Sequence, residues 1–421
     1  MNVLVVAGAR PNFMKVAPVL AALERAGHGS VLVHTGQHYD DAMSQAFFDD
    51  LGIRAPDRFL GVGGGTHAVQ TARIMERFEP VLLEARPDWV LVPGDVNSTL
   101  AAALVTVKLK EETGARLAHL EAGLRSYDWR MPEEVNRVLT DRCADLLLTP
   151  SRDAHALLAA EGIAPERVHF VGNVMIDTLY ARLAAARALD MPARFGLEPG
   201  AFAVATLHRP SNVDTAAALR VCLEALGRVA ERVPLVLPLH PRTRQKIDAF
   251  GLRALLDGIV AVEPMGYTEL LSLTDAAAAV LTDSGGLQEE TTVLGVPCVT
   301  LRERTERPVT VEQGTNRMAP WPLDVAGVVA AFERALAAGR AAQPCRIDGW
   351  DGRAAERVVA ALEAVAGRDR AAPGPQPPPA ATGGGSGMPG ALDRPGPQPP
   401  AGATRGGAAA GSRARHRPRL H

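Results

Sequence analysis

Short runs of β-branched and apolar residues alternate along the chain with longer stretches in which Ala and Leu recur at helical spacing. Val3–Ala7 reads as a strand and Pro11–Ala26 as a helix. The strand pattern returns at Ser30–His34, Trp89–Val92, Leu117–Leu120, Asp145–Thr149 and Val168–Phe170. It starts again at Phe202–Thr206 and continues through Leu235–Pro238, Ile259–Val262, Ala278–Thr282 and Pro297–Thr300. Apolar strands separated by full helices predict parallel sheets covered on both faces. The restart after Gly172 predicts an α/β protein of two Rossmann-like, doubly wound domains, residues 1–170 and 171–350, with a cleft between them. In such sheets ligands bind beyond the carboxyl ends of the strands, so the residues that follow each strand are the candidates for chemistry.

Bulk properties narrow the classes. A length of 421 residues fits two domains. A formal charge of −2 implies no global attraction to nucleic acid or membrane. Cys143, Cys222, Cys298 and Cys345 lack C-x-x-C spacing, which argues against a metal site or a disulfide framework and suits a reducing compartment. The apolar start is broken early by Gly8, Arg10 and Pro11, and no long apolar run follows. Neither a signal peptide nor a transmembrane helix is expected, and the location expected is cytoplasmic. Over 371–421, Pro, Gly, Ala and Ser dominate; this composition predicts a disordered tail.

Several strand ends carry charge. Gly8-Ala9-Arg10-Pro11-Asn12, with Lys15 one turn later, reads as an anion site at a helix start or as a plain turn with two surface cations. Asp95 follows a strand and reads as a helix N-cap or as an acid in the cleft. Glu121 follows the next strand. Glu133 opens a helix after Pro132 and reads as a favourable dipole partner or half of an i,i+4 pair with Arg137. Against these plain readings stands the convergence of Asp95, Glu121 and Glu133 on one rim of one sheet. In the second half, His208-Arg209 and His240-Pro241-Arg242 follow strands and suit phosphate contact. Ser284-Gly285-Gly286 lies between a strand and a helix, where backbone N–H groups can approach a pyrophosphate. Glu290 is one turn beyond, placed to accept hydrogen bonds from ribose hydroxyls.

These segments form an ordered series: GARPNFMKVAP (8–18), TGQHYD (35–40), PGDVNST (93–99), HLEAGLRS (119–126), MPEEVNR (131–137), LHRPSNVD (207–214), TDSGGLQEE (282–290) and RERTERPVTVEQGTN (302–316). Over residues 1–365 the chain resembles the non-hydrolysing UDP-N-acetylglucosamine 2-epimerase family. The resemblance implies a glycosyltransferase-B-like arrangement whose last helix, within 351–370, packs back on the first domain. It implies a homodimer, a UDP-sugar substrate that also acts as an allosteric activator, and neither metal nor cofactor. By motif position Asp95, Glu121, Glu133 and His208 fall on catalytic positions. Arg10, Lys15, His240, Ser284, Gly285, Gly286, Glu290 and Arg307 fall on substrate-binding positions, and Gln37, His38 and Arg73 on a regulatory site.

The implied reaction is reversible C2 epimerisation of UDP-N-acetylglucosamine by elimination and re-addition of UDP, serving cell-surface polysaccharide synthesis. The rival readings are an epimerase of a UDP-2,3-diacetamido-uronic acid, a hydrolysing epimerase, a glycosyltransferase on the same scaffold, and a non-catalytic UDP-sugar sensor.

Overall fold

The computed structural model describes residues 1–37, 45–342 and 345–371. The expectations placed on His38 and on the tail beyond Ala371 lie outside the described residues.

Among the described residues, thirteen strands form two sheets. The first holds β1 (Asn2–Ala7), β2 (Gly29–His34), β3 (Arg58–Phe59), β4 (Trp89–Pro93), β5 (Arg116–Leu120), β6 (Leu146–Thr149) and β7 (Val168–Phe170) in the order β3-β2-β1-β4-β5-β6-β7. The second holds β8 (Ala203–Thr206), β9 (Leu235–Pro238), β10 (Val260–Val262), β11 (Ala279–Thr282), β12 (Cys298–Thr300) and β13 (Asn316–Met318) in the order β10-β9-β8-β11-β12-β13. Every strand pair is parallel. β3 and β13 were not expected from the hydrophobic pattern; at two and three residues they are too short to show a period.

Alternation within strands assigns the core. Val3, Val5 and Ala7 point into one apolar layer while Leu4 and Val6 point into the opposite one. In the second sheet Ala203 and Ala205 face one layer and Val204 the other. With both faces covered, the sheets leave only their ends for ligand binding. The direction in which successive strands are added reverses between β1 and β4 in the first sheet and between β8 and β11 in the second. These two switch points open crevices at the carboxyl ends of the strands.

The chain passes between the sheets twice. Helix Val174–Leu189 carries it out of the first sheet, and helix Ala354–Ala371 returns to pack on Arg10–Arg25 and on Val174–Leu189. Val358 and Leu362 of the returning helix share a core with β1. Its first turn is capped by Asp177, which accepts from the Ala354 and Ala355 amides at 3.1 and 2.7 Å. The Trp350 indole donates to the Pro150 carbonyl at 3.1 Å, and Arg357 Nε to Val171 O at 2.6 Å. The arrangement is glycosyltransferase-B-like, with two Rossmann-like sheets and a returning C-terminal helix.

Both passages meet at Gly172, where φ is +85° and an added Cβ would lie 2.0 Å from the Gly349 carbonyl oxygen. Gly162 has a similar φ of +76° but open space around it. Gly162→Ala is expected to cost about 1–2 kcal/mol, the left-handed backbone penalty alone. Gly172→Ala adds overpacking, about 1–3 kcal/mol more. Urea denaturation of the two variants measures the difference; equal losses would show that the crossing does not depend on this close approach.

Candidate functional site

The first switch point is built by the turns after β1, β4 and β5. The helix Arg10–Arg25 starts at Ala9, and the Asn12 side chain accepts from the Gly8 and Ala9 amides at 3.3 and 3.1 Å. Arg10 lies over the Phe47 ring at 5.0 Å. Lys15, one turn in, is buried and pairs with Glu121. Glu121 is held with φ at +72°, a left-handed conformation that costs a non-glycine residue about 1–3 kcal/mol. Its own amide and that of Ala122 both donate to the Leu148 carbonyl, at 3.0 and 3.1 Å, which fixes the bend. The bend turns the carboxylate away from the strand line toward Lys15 and Arg307.

Asp95 is not a helix cap. The helix Asn97–Lys108 starts at Val96 with no side-chain cap bond, and Asp95 instead pairs with Arg137 at 2.5 Å. Burial works against its charge, but Arg137, Lys15 and Arg307 outweigh it and hold the carboxyl below its ordinary value. Glu133 does not form the expected i,i+4 pair with Arg137. It stands half-buried at the start of helix Pro132–Cys143, without an ion pair among the described residues. The i,i+3 neighbour Glu134 takes that place: it pairs with Arg137 at 3.1 Å and accepts from the Ser126 and Tyr127 amides at 3.0 and 2.8 Å. Glu134 braces the loop over the cleft and leaves Glu133 free for other work.

The second switch point lies between β8 and β11. His208 Nδ1 is 2.7 Å from Asp283, which is fully buried and also accepts from the His208 and Arg209 amides and from Asn212. Burial raises the Asp283 carboxyl and His208 with these amides more than offsets it, so the group is held below its ordinary value. Asp283 therefore orients the His208 ring and leaves Nε2 toward the cleft. The His240 ring stands 5.7 Å from that of His208 and accepts at Nδ1 from the Arg242 amide. Burial, with His208 beside it, pushes His240 down to about 4.

Ser284 begins the helix Gly285–Leu294 without using its hydroxyl as a cap. A Cβ on Gly285 would sit 2.7 Å from Arg307 Nη1, so this glycine admits the guanidinium. Glu290 is buried one turn on; burial pushes it up to about 8, and the adjacent Tyr267 hydroxyl offsets this only in part. Arg307 is the meeting point of the two halves. It reaches Glu121 at 2.7 Å, Glu289 at 2.8 Å and Glu306 at 2.6 Å.

Of the remaining expected residues, Gln37 is buried in the turn after β2, accepting from the Ser98 amide and hydroxyl at 2.9 and 2.7 Å, while Arg73 is exposed on helix His67–Ala85. Asp283, Glu289, Glu306 and Arg137 were missed from sequence. Asp283 stood beside the glycine pair, but its partner is 75 residues away. No group of three His, Cys, Asp or Glu among the described residues is placed to hold a metal ion. No helix among them is long and apolar enough to cross a membrane.

Two Rossmann-like sheets joined by the buried Arg307–Glu121 ion pair, with a glycine loop at one switch point and carboxylates at the other, define an α/β scaffold of the glycosyltransferase-B-like class. Residues 21–363 match the family described as UDP-N-acetylglucosamine 2-epimerase. A protein of that name from Methanococcus maripaludis is 40% identical over 323 residues, covering 75% of this chain and 87% of that one. A UDP-2,3-diacetamido-2,3-dideoxy-D-glucuronate 2-epimerase from Pseudomonas aeruginosa is 44% identical over 320 residues, covering 75% and 87%. The crystal structure of Methanocaldococcus jannaschii UDP-GlcNAc 2-epimerase, in complex with UDP-GlcNAc and UDP, matches with a TM-score of 0.79 and 37% identity, covering 86% of this chain and 100% of that one. The chain belongs to the UDP-N-acetylglucosamine 2-epimerase family, and is an isomerase.

The buried Glu290 makes a pH prediction. A carboxyl raised in the folded state keeps its proton after the unfolded chain has lost it. Its contribution to stability therefore falls as pH rises from 4.5 to about 8. Glu290→Gln removes this slope of about 1.4 kcal/mol per pH unit. Urea midpoints of both proteins at pH 5 and pH 8 should converge at the lower pH and favour the variant at the higher; parallel behaviour would mean that Glu290 ionises normally.

Proposed function

We propose that the chain catalyses reversible C2 epimerisation of UDP-N-acetylglucosamine to UDP-N-acetylmannosamine, supplying cell-surface polysaccharide synthesis. The observation that carries this reading is the strained Glu121, held between Lys15 and Arg307 at the point where the two sheets meet. A carboxylate so fixed suits proton exchange at carbon.

UDP binds on Ser284–Gly286, with the Glu290 carboxyl accepting from a ribose hydroxyl and the diphosphate facing Arg10, His208, His240 and the helix start. Lys15 and Arg307 hold the sugar-side carboxylates in place. As the C1–O bond breaks, its electron pair leaves on the β-phosphate oxygen. A protonated His208, aligned by Asp283, donates from Nε2 to that oxygen. The C2–H bond breaks to a carboxylate, and its electrons form the C1=C2 bond of 2-acetamidoglucal. Return runs in reverse, with a second acid delivering a proton to the opposite face of C2 and the phosphate oxygen rejoining C1. Two faces require two proton carriers, and these are drawn from the three carboxylates Asp95, Glu121 and Glu133. The enzyme works in the cytoplasm, a reducing compartment that suits its four free cysteines, and acts as a homodimer. Gln37, His38 and Arg73 belong to a regulatory site for a second UDP-sugar.

The 44% identity to the diacetamido-glucuronate enzyme favours one second reading, the same chemistry on a UDP-2,3-diacetamido-uronic acid. Incubation with each sugar nucleotide, followed by proton NMR of the products, tests both. The main reading expects a UDP-GlcNAc and UDP-ManNAc mixture from either starting epimer. Turnover of the uronic acid alone supports the second reading, and free N-acetylmannosamine contradicts both. Glu121→Gln should lower turnover by about 10²–10⁴-fold with UDP affinity within a few-fold of wild type.

A further inference from the structure

His119 is wholly buried on β5, two residues before Glu121, and takes no part in the steps proposed above. Its ring lies between two acceptors. Nε2 is 2.8 Å from the Gly94 carbonyl oxygen, and Nδ1 is 2.6 Å from Asp141 Oδ1. A carbonyl oxygen cannot donate, so Nε2 carries a proton. Asp141 is an acceptor as well. Its other oxygen accepts from the Gly123 amide at 3.1 Å and faces the Arg125 guanidinium at 2.8 Å. Burial raises the Asp141 carboxyl, but His119 and Arg125 outweigh it and hold the group below its ordinary value. Nδ1 therefore donates too, and the ring is an imidazolium shut away from solvent. Charge closes locally, because Arg125 also pairs with Glu161 at 2.7 Å, and partners of this kind are what keep a buried charge in place.

What the ring fastens is the backbone on which two carboxylates stand. Gly94 immediately precedes Asp95, and its peptide is tied to β5 twice. Its amide donates to the Leu120 carbonyl at 2.9 Å, and its carbonyl accepts from His119. Gly94 adopts a φ of +64°, and a Cβ there would lie 2.9 Å from Lys15 Nζ and 3.4 Å from Glu121 Oε2. The turn thus runs directly against the Lys15–Glu121 pair. On the other side of the ring, Asp141 holds the amide of Gly123, two residues beyond Glu121, where φ is +82°. One buried pair accordingly ties down both the turn that carries Asp95 and the bend that carries Glu121. With the ring fully buried, its influence on a substrate runs through those turns.

We propose that His119 is a positioning residue: its imidazolium clasps the Gly94 carbonyl and, through Asp141, the Gly123 amide, and so sets Asp95 and Glu121 at the separation that proton exchange at C2 requires. The inference rests on the function proposed above. A misplacement of about 1 Å in a reacting group can lower a rate about 10²-fold, so a fixed turn matters to turnover more than to binding.

His119→Gln and His119→Asn separate the two bonds. The Gln amide nitrogen falls where Nε2 stands and still donates to Gly94; the Asn nitrogen falls where Nδ1 stands and reaches only Asp141. Turnover, KM and calorimetric UDP affinity are measured for the full-length proteins, with hydrogen exchange over residues 93–99 read by mass spectrometry. The Asn variant should lose about ten- to hundredfold in turnover, with KM and UDP affinity within about threefold of wild type. It should also exchange faster over 93–99. The Gln variant should recover most of the turnover and the slow exchange. Equal turnover losses in the two variants would overturn the proposal, as would a loss of thermal stability with turnover unchanged. If neither variant folds, a neutron diffraction map of the wild type decides: deuterium on both ring nitrogens is expected, and a bare nitrogen overturns the clasp. A wild type that forms no epimer refutes the proposed reaction, and the exchange pattern and the neutron map still decide whether His119 holds the two turns.

Discussion

Arg307 is buried among carboxylates from both halves of the molecule, and the geometry of the cleft follows from that placement. Its guanidinium reaches Glu121 beyond β5 and Glu289 and Glu306 on the other side. Isolated charges at such depth would cost several kcal/mol each. They persist because each has partners: Lys15 shares Glu121, Arg302 pairs with Glu306 at 2.8 Å, and Arg137 holds Asp95. Replacing any one member would strand the others, so the network ties the carboxyl end of the first sheet to the glycine loop of the second.

The same network separates the protonation states of neighbouring acids. Glu306, beside Arg302 and Arg307, is held well below the usual carboxylate range although burial alone would raise it. Glu289 is pushed up to about 7 by burial, which Arg307 offsets only in part, and Glu290 up to about 8. A site of this kind can keep some carboxyls charged and others neutral at one pH, which acid–base chemistry on two faces of a sugar ring requires.

Much of this was legible in the sequence because parallel strands buried on both faces must be apolar along their whole length, as Trp89–Val92 and Leu235–Pro238 are. Their ends identify the switch points, so Lys15, Asp95, Glu121, His208 and Ser284 could be picked out before any coordinates. What stayed hidden depends on long-range pairing. Asp95 was picked out as an acid of the cleft, with a cap as its plain reading, but its partner, Arg137, is 42 residues on. Glu133 and Glu134 are indistinguishable by type, and only the position of the Ser126–Tyr127 amides decides which one braces the loop.

The account comes down to one chemical event, transfer of the C2 proton to a protein carboxylate as UDP departs. Epimerisation run in heavy water measures it directly. The account predicts deuterium at C2 of the product sugar and, at equilibrium, at C2 of recovered substrate as well. An epimer formed in heavy water with only protium at C2 would contradict it.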